Sequence, residues 1–435
     1  MTTHHPFGRL RTPAVAAGLA LATSATVAAT TLAPAYAAAP HNEQVVLVNG
    51  SNAQADAKSM VNGTAQVSSA DGRFVVFSTA APLVPQDTND LDDVYLRDTT
   101  DGITILVSAR GKTPGNDYSI EPTISKSGQY VAFTTYATNL TPDTNGSALD
   151  VVVKDLHSGR IRLVSVDSAG HQRKKNSFFP VISGNGKRVS FQSFGRFGPK
   201  DADKREDVYV RDVAHRWTRQ ASITPSGRDV KPSVVNGDIS DNGKLVTFGE
   251  NNALWVRHFG TGKTIRFWHE PDAPPCQPFP EGSAGRPVIS GDGRYVAFSS
   301  CATKLPGPAT HGQVYRMKLS DRSVTLVSRT GHGAGDADSY LPSLSTTGRY
   351  VGFGSDATDL AADTGVDPDA FVADLRSGTI TRASQSPGAE ESNNWSASTG
   401  AAISGDGHTL VYESYATNLV AGDAYDWEEV FTWTR

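Results

Sequence analysis

Cysteine is nearly missing from this chain: Cys276 and Cys301 are the only two in 435 residues, and methionine occurs three times. So few thiols exclude a disulfide-stapled scaffold and a cysteine-rich metal site, and the fold has to rest on buried apolar surface. Long apolar runs are missing too once Ala14–Leu32 is passed, so nothing beyond that stretch is long enough to span a bilayer. There is no excess of base. Lys and Arg number 40 against 45 Asp and Glu, net charge −5, which excludes the basic footprint of a nucleic-acid-binding protein. Amphipathic helical spacing is missing from the rest of the chain, as are a G-x-S-x-G elbow and an H-E-x-x-H pair.

The N-terminus reads as a targeting segment. Arg9 and Arg11 precede the Ala/Thr/Val/Leu-rich stretch, and Ala35-Tyr36-Ala37 offers small residues at both positions a signal peptidase reads. The expected organisation is a signal peptide over residues 1–37, a short linker over 38–42 and one folded domain over 43–435, secreted and extracellular, with no membrane span. In an oxidising compartment the two cysteines are expected to pair as a Cys276–Cys301 disulfide.

What fills the chain is a repeat. A turn ending in glycine, followed by an alternating apolar strand, recurs at Gly72, Gly128, Gly186, Gly243, Gly293, Gly348 and Gly407. The spacing of about 55 residues suits a four-stranded propeller blade with long loops. Strand a ends in patterns such as Pro122-Thr123-Ile124-Ser125. Strand b follows the glycine, as in Tyr130-Val131-Ala132-Phe133. Strand c reads Asp93-Val94-Tyr95-Leu96-Arg97-Asp98 or Asp207-Val208-Tyr209-Val210-Arg211-Asp212, and strand d reads Arg162-Leu163-Val164-Ser165. The folded part opens on a strand-d pattern, Gln44–Asn49, and closes on a strand-c pattern, Glu429–Trp433. The fold class is therefore all-β: a seven-bladed β-propeller closed by the N-terminal strand joining the last blade.

These residues resemble a known family. Ser-x-Asp-Gly-Arg-Tyr-Val-Ala-Phe followed by Asp-Val-Tyr-Val-x-Asp is similar to the WD-repeat-like propeller repeat of TolB-type proteins. Ala137-Thr138-Asn139-Leu140 and Asp143-Thr144-Asn145 look like the form found in secreted actinobacterial proteins. The resemblance spans about residues 43–435 and implies the fold; no segment here matches the α/β domain that precedes the TolB propeller.

Loop length separates the two faces. The a–b and c–d turns are short and share one face, whereas the b–c and d–a loops run to about a dozen residues and share the other, where binding is expected. Aromatic and charged residues near the start of strand a are the candidate ligand-binding set: Tyr118, Glu121, Phe179, Trp268, Tyr340 and Trp395. Lys231 and Arg286 are placed at the channel mouth with Glu121. Aromatic rings there suit a sugar or a peptide, and they equally suit the gaps between blades. The b–c loops repeat oxygen ligands at alternate positions: Asp87 and Asn89, Asp143 and Asn145, Asp363 and Asp367. That pattern suits Ca²⁺ as the only cofactor in view, and it equally suits Asx turns. The sequence leads to a monomeric, non-catalytic interaction module for a protein or glycan ligand. The alternative is a polysaccharide lyase or glycoside hydrolase, for which His171, His269 and His332 would have to meet in the channel.

Overall fold

The computed structural model describes residues 40–45, 58–61, 66–199, 201, 203–231, 234–250, 253–269, 286–301, 304–307, 311–361, 367–388, 390–423 and 426–435. The described residues build seven four-stranded antiparallel sheets and one two-stranded hairpin, with no α-helix. Blade 2 shows the plan: strand a is Ser119–Ile124, b Tyr130–Thr135, c Asp150–Asp155 and d Arg160–Leu163. No helix of the described residues is long and apolar enough to cross a membrane.

The repeated residues of strands b and c meet across the sheet. Phe77 lies opposite Tyr95, Phe191 opposite Tyr209, Phe298 opposite Tyr315, Phe353 opposite Phe371 and Tyr412 opposite Phe431, each ring pair stacked with centroids 5.7–6.1 Å apart. These rings are fully buried and form the waist of those five blades. Strand d is the outer edge. In blade 1 it is short, and Ile103 and Ile105 alternate outward.

Polar residues of the repeat serve the turns. The first Asp of strand c accepts a hydrogen bond from a serine fifteen residues on, in Ser108–Asp93, Ser165–Asp150, Ser222–Asp207 and Ser384–Asp369. That serine hydroxyl also accepts from the next strand-c amide, Val94 N to Ser108 Oγ at 2.9 Å. Val107 and Ser108 both donate to Val94 O, which ends the regular ladder at Leu106, short of the Val-Ser pair. The last Asp of strand c takes the arginine after the glycine turn, Arg73 on Asp98 and Arg349 on Asp374, both bidentate.

The ring closes twice. His41–Gln44 pairs with Glu429–Thr434 as strand d of blade 7, His41 opposite Thr434 and Gln44 opposite Phe431. The closing strand thus begins three residues before the Gln44–Asn49 pattern, inside the segment taken as a linker; residues 46–49 lie outside the described set. Asn42 fixes this register. Its amide donates to Ala383 O at 3.0 Å and Gln385 O at 2.7 Å, and its carbonyl accepts from Tyr412 OH at 2.8 Å. The second closure runs round the axis. Each a–b turn donates a backbone hydrogen bond to the next: Ala70 to Lys126, Lys126 to Gly184, Asn185 to Asp241, Asp241 to Gly291, Asp292 to Thr346, Thr346 to Gly405, and Asp406 back to Ala70, all 2.8–3.0 Å.

Blade 4 departs from the plan. Its b–c connection is only residues 251–252, between Leu245–Glu250 and Ala253–His258, so the long b–c loops are six, not seven. Residues 1–39, including the expected signal peptide, are outside the described residues.

Candidate functional site

The axial hydrogen-bond ring brings the second residue of each a–b turn to the channel: Ala70, Lys126, Gly184, Asp241, Gly291, Thr346 and Gly405. Lys126 from blade 2 crosses to Asp241 of blade 4 at 2.8 Å and also donates to Thr346 Oγ1 of blade 6. The glycines make room for it. A Cβ on Gly291 would lie 2.2 Å from Asp241 Oδ2 and 2.5 Å from Lys126 Nζ, and one on Gly405 would lie 3.2 Å from Lys126 Cε. Asp238, in strand a of blade 4, accepts from Ile239 N at 2.7 Å and Ile289 N at 3.1 Å; burial, with Asp241 adding to it, pushes its carboxyl up to about 7. The space left is about 30 Å³, lined among others by Gln66, Ser343 and Ile403, an order of magnitude below a ligand pocket. The short-turn end of the channel is plugged.

Toward the other end, strand a carries a bulge at the residue before its proline. Glu121, Phe179 and Leu341 adopt φ of 55°, 49° and 48° there, left-handed backbone that a residue preceding proline rarely takes. The bulge lets Glu121 reach the next blade: its carboxylate accepts from Phe179 N and Thr134 Oγ1, both at 2.8 Å. The Arg286 guanidinium of blade 5 lies 4.0 Å from the centre of the Phe179 ring. Burial raises the Glu121 carboxyl, and Arg286 partly offsets it. Glu121, Phe179 and Arg286 therefore come together from blades 2, 3 and 5. Lys231 does not: it is exposed on the blade-3 side, 3.5 Å from Asp203, because strand a of blade 4 starts only at Val235.

The other aromatics divide by burial. Tyr118 and Trp395 stand exposed just before strand a of blades 2 and 7, 44% and 52% accessible. Phe194, just after strand b of blade 3, and Trp427, in the b–c loop of blade 7, are exposed as well, although neither stands in a d–a loop. Tyr136 N bonds Tyr118 O, and Tyr415 N bonds Trp395 O, so each of those two pairs extends its sheet into the rim. Trp268 is half-buried and Tyr340 is buried. Trp268 belongs to strand d of blade 4 and stacks on Phe298, and Tyr340 is buried with its hydroxyl on Asp356 Oδ1 at 2.9 Å.

The acidic loops of blades 1 and 2 are closed by amides. Asn89 Nδ2 donates to Asp93 at 3.0 Å and to Gly115 O, while Asp87 accepts from Tyr95 OH. Gln172 Nε2 donates to Asp143, Asn145 and Asp150, and Asn145 Nδ2 to Asp150 at 3.2 Å. Asp363 lies outside the described residues; Asp367 is described, just before strand c of blade 6. The histidines do not converge. His171 is exposed and bonded to Asp167, His269 ends strand d of blade 4, and His332 sits on an exposed hairpin of blade 5. Among the described residues, no metal-holding group contains a histidine. Cys301 follows strand b of blade 5, and Cys276 lies outside the described residues.

The fold and these sites define a seven-bladed β-propeller with one plugged and one aromatic end. Known structures share that architecture. An oligogalacturonate lyase from Vibrio parahaemolyticus matches at TM-score 0.55 and 10% identity, over 91% of this chain and 96% of that one. The β-propeller domain of the trilobed protease from Pyrococcus furiosus, which has an open velcro topology, matches at TM-score 0.53 and 11% identity, over 88% and 94%. TolB from Acinetobacter baumannii is a looser neighbour, TM-score 0.40 and 13% identity over 84% and 81%. No family description and no curated protein matches the sequence.

Proposed function

We propose that this chain is a secreted, non-catalytic interaction module that grips a glycan or an extended protein segment on its long-loop face. One observation carries the reading: all four exposed aromatics among the described residues, Tyr118, Phe194, Trp395 and Trp427, stand on that face. Aromatic rings held on rigid strand ends bind sugar faces and peptide side chains at small entropic cost. They lie on blades 7, 2 and 3, to either side of blade 1, whereas the equivalent pair on blade 6 is Asp338 and Asp356. A ligand with apolar faces is therefore expected to sit off-axis, over the aromatic arc. The lyase reading shares its fold with the oligogalacturonate lyase, but His171, His269 and His332 form no common metal-holding group among the described residues.

The test is a glycan array together with pull-down from culture medium, using the wild-type chain and a Tyr118→Ala/Trp395→Ala double variant. Binding should fall about tenfold or more in the variant, as for aromatic hot spots, with an unchanged melting temperature. Equal binding by the two proteins would sink the proposal.

A further inference from the structure

Blades 1, 2, 3 and 6 repeat one small pocket where the b–c loop meets the d–a connection, and they fill it differently. In blades 1 and 2 the amides of Asn89, Asn145 and Gln172 donate into it. In blade 6 a buried cation does so: Arg382, at the end of strand d, lies 2.7 Å from Glu391 and 3.6 Å from Asp369. Three pockets thus meet their carboxylates with N–H donors.

Blade 3 gathers more carboxylates at this place, with Asp203 where blades 1 and 2 carry Asn89 and Asn145. Asp201, Asp203, Asp207 and Asp229 stand at the corresponding places, and one oxygen of each lies within 4.8 Å of the others. Asp201 and Asp207 are buried. The strand-d residue facing them, paired with Tyr209, is Gln220. Blades 1, 2 and 5 carry Leu106, Leu163 and Leu326 there, and blade 6 carries Arg382. Gln220 is only 6% exposed. Its Nε2 donates to Asp207 Oδ1 at 2.8 Å and Asp229 Oδ1 at 2.6 Å, which points the side chain into the cluster, and its Oε1 has no hydrogen-bond partner. Tyr209 OH serves Asp201 at 2.6 Å, and Ser222 Oγ serves Asp207. The flanking cations are peripheral and exposed: Lys231 is 3.5 Å from Asp203, and Arg196 is 3.8 Å from Asp201. Burial, with Asp229 and Asp201 adding to it, pushes the Asp207 carboxyl up.

We propose that blade 3 binds one Ca²⁺ through Asp201, Asp203, Asp207, Asp229 and the Oε1 of Gln220, whatever ligand the rim takes. An all-oxygen, carboxylate-rich set without His or Cys selects a hard cation. Opposite ligands around Ca²⁺ are about 4.6–5.2 Å apart, which the present spread accommodates; Mg²⁺, with bonds of about 2.0–2.1 Å, would need the cluster to contract. Turning the Gln220 amide over would present Oε1, which has no partner where it stands, to the ion in place of the Nε2 that now faces the carboxylates. The ion fastens the b–c loop to the d–a connection, the role that Arg382 fills in blade 6.

Calorimetric titration and thermal melting of the secreted chain with Ca²⁺, Mg²⁺ and chelator test this. Expected are one Ca²⁺ per chain, a melting temperature raised by Ca²⁺ and lowered by chelator, and a weaker response to Mg²⁺ at equal concentration. Gln220→Arg and Asp203→Asn copy the fillings of blade 6 and of blades 1 and 2. Both should lose the Ca²⁺ response while melting, metal-free, no lower than wild type. A wild-type melting temperature unmoved by Ca²⁺, a response that survives in both variants, or an equal response to Mg²⁺ overturns the assignment.

Discussion

Lys126 is the residue on which the axis depends. It carries the positive charge between Asp241 and the channel carboxyl of Asp238, and its partners come from two other blades. Lys126→Ala should destabilise the fold by about 1–3 kcal/mol, since it leaves a part-buried carboxylate without its donor. The loss should be greater at pH 8 than at pH 5, where Asp238 holds its proton; equal losses by denaturant titration at the two pH values would contradict this account. The plug was not legible in the sequence, because its partners are 115 and 220 residues away. The signal that existed is the second residue of the Ser-x-x-Gly turn, which becomes meaningful once all seven turns are laid round one axis. Tyr340 misled for a related reason. Nothing in local composition separates Tyr340, whose hydroxyl finds Asp356, from exposed Tyr118.

Among the elements, the closing strand is the one whose loss the rest of the fold cannot absorb. Strand His41–Gln44 covers the edge of Glu429–Thr434, and Asn42 ties blade 7 to the turn after strand d of blade 6. Asn42→Ala should cost about 1–3 kcal/mol, because two carbonyls and the buried Tyr412 hydroxyl lose their partner. Deleting residues 40–45 should in addition yield oligomers, through pairing on the bared edge. Size-exclusion chromatography checks this, and a monomer of unchanged melting temperature would contradict it. The strands themselves were readable because glycine turn, aromatic-rich strand b and Asp-flanked strand c recur at near-constant spacing. The start of the closing strand was not, since its register is set by a side-chain amide rather than by apolar alternation.

Across the whole molecule, buried carboxyls set the response to pH. Burial is the largest cause in each: Asp93 is raised to about 6, Asp238 and Glu413 to about 7, and Glu429 to about 8. A carboxyl whose pKa is higher folded than unfolded holds its proton more tightly in the fold, so stability falls as pH rises from the unfolded value through the folded one. The melting temperature should therefore decline from about pH 5 to pH 8. Lys154, buried against Val107 O and Ala109 O, is lowered to about 8 and acts in the opposite sense only above that range. A flat profile between pH 5 and 8 in scanning calorimetry would contradict the carboxyl account.

Pairing His41 with Thr434 also fixes an orientation. Strand d of a blade leaves the short-turn face and strand c arrives there, so both ends of the closing pair lie on the plugged side. Anything joined ahead of His41 or behind Thr434, whether tether, tag or fused domain, emerges on the side away from Tyr118 and Trp395. Held by either end to a surface, the propeller faces its surroundings with the aromatic arc outward, like a dish on a short stem.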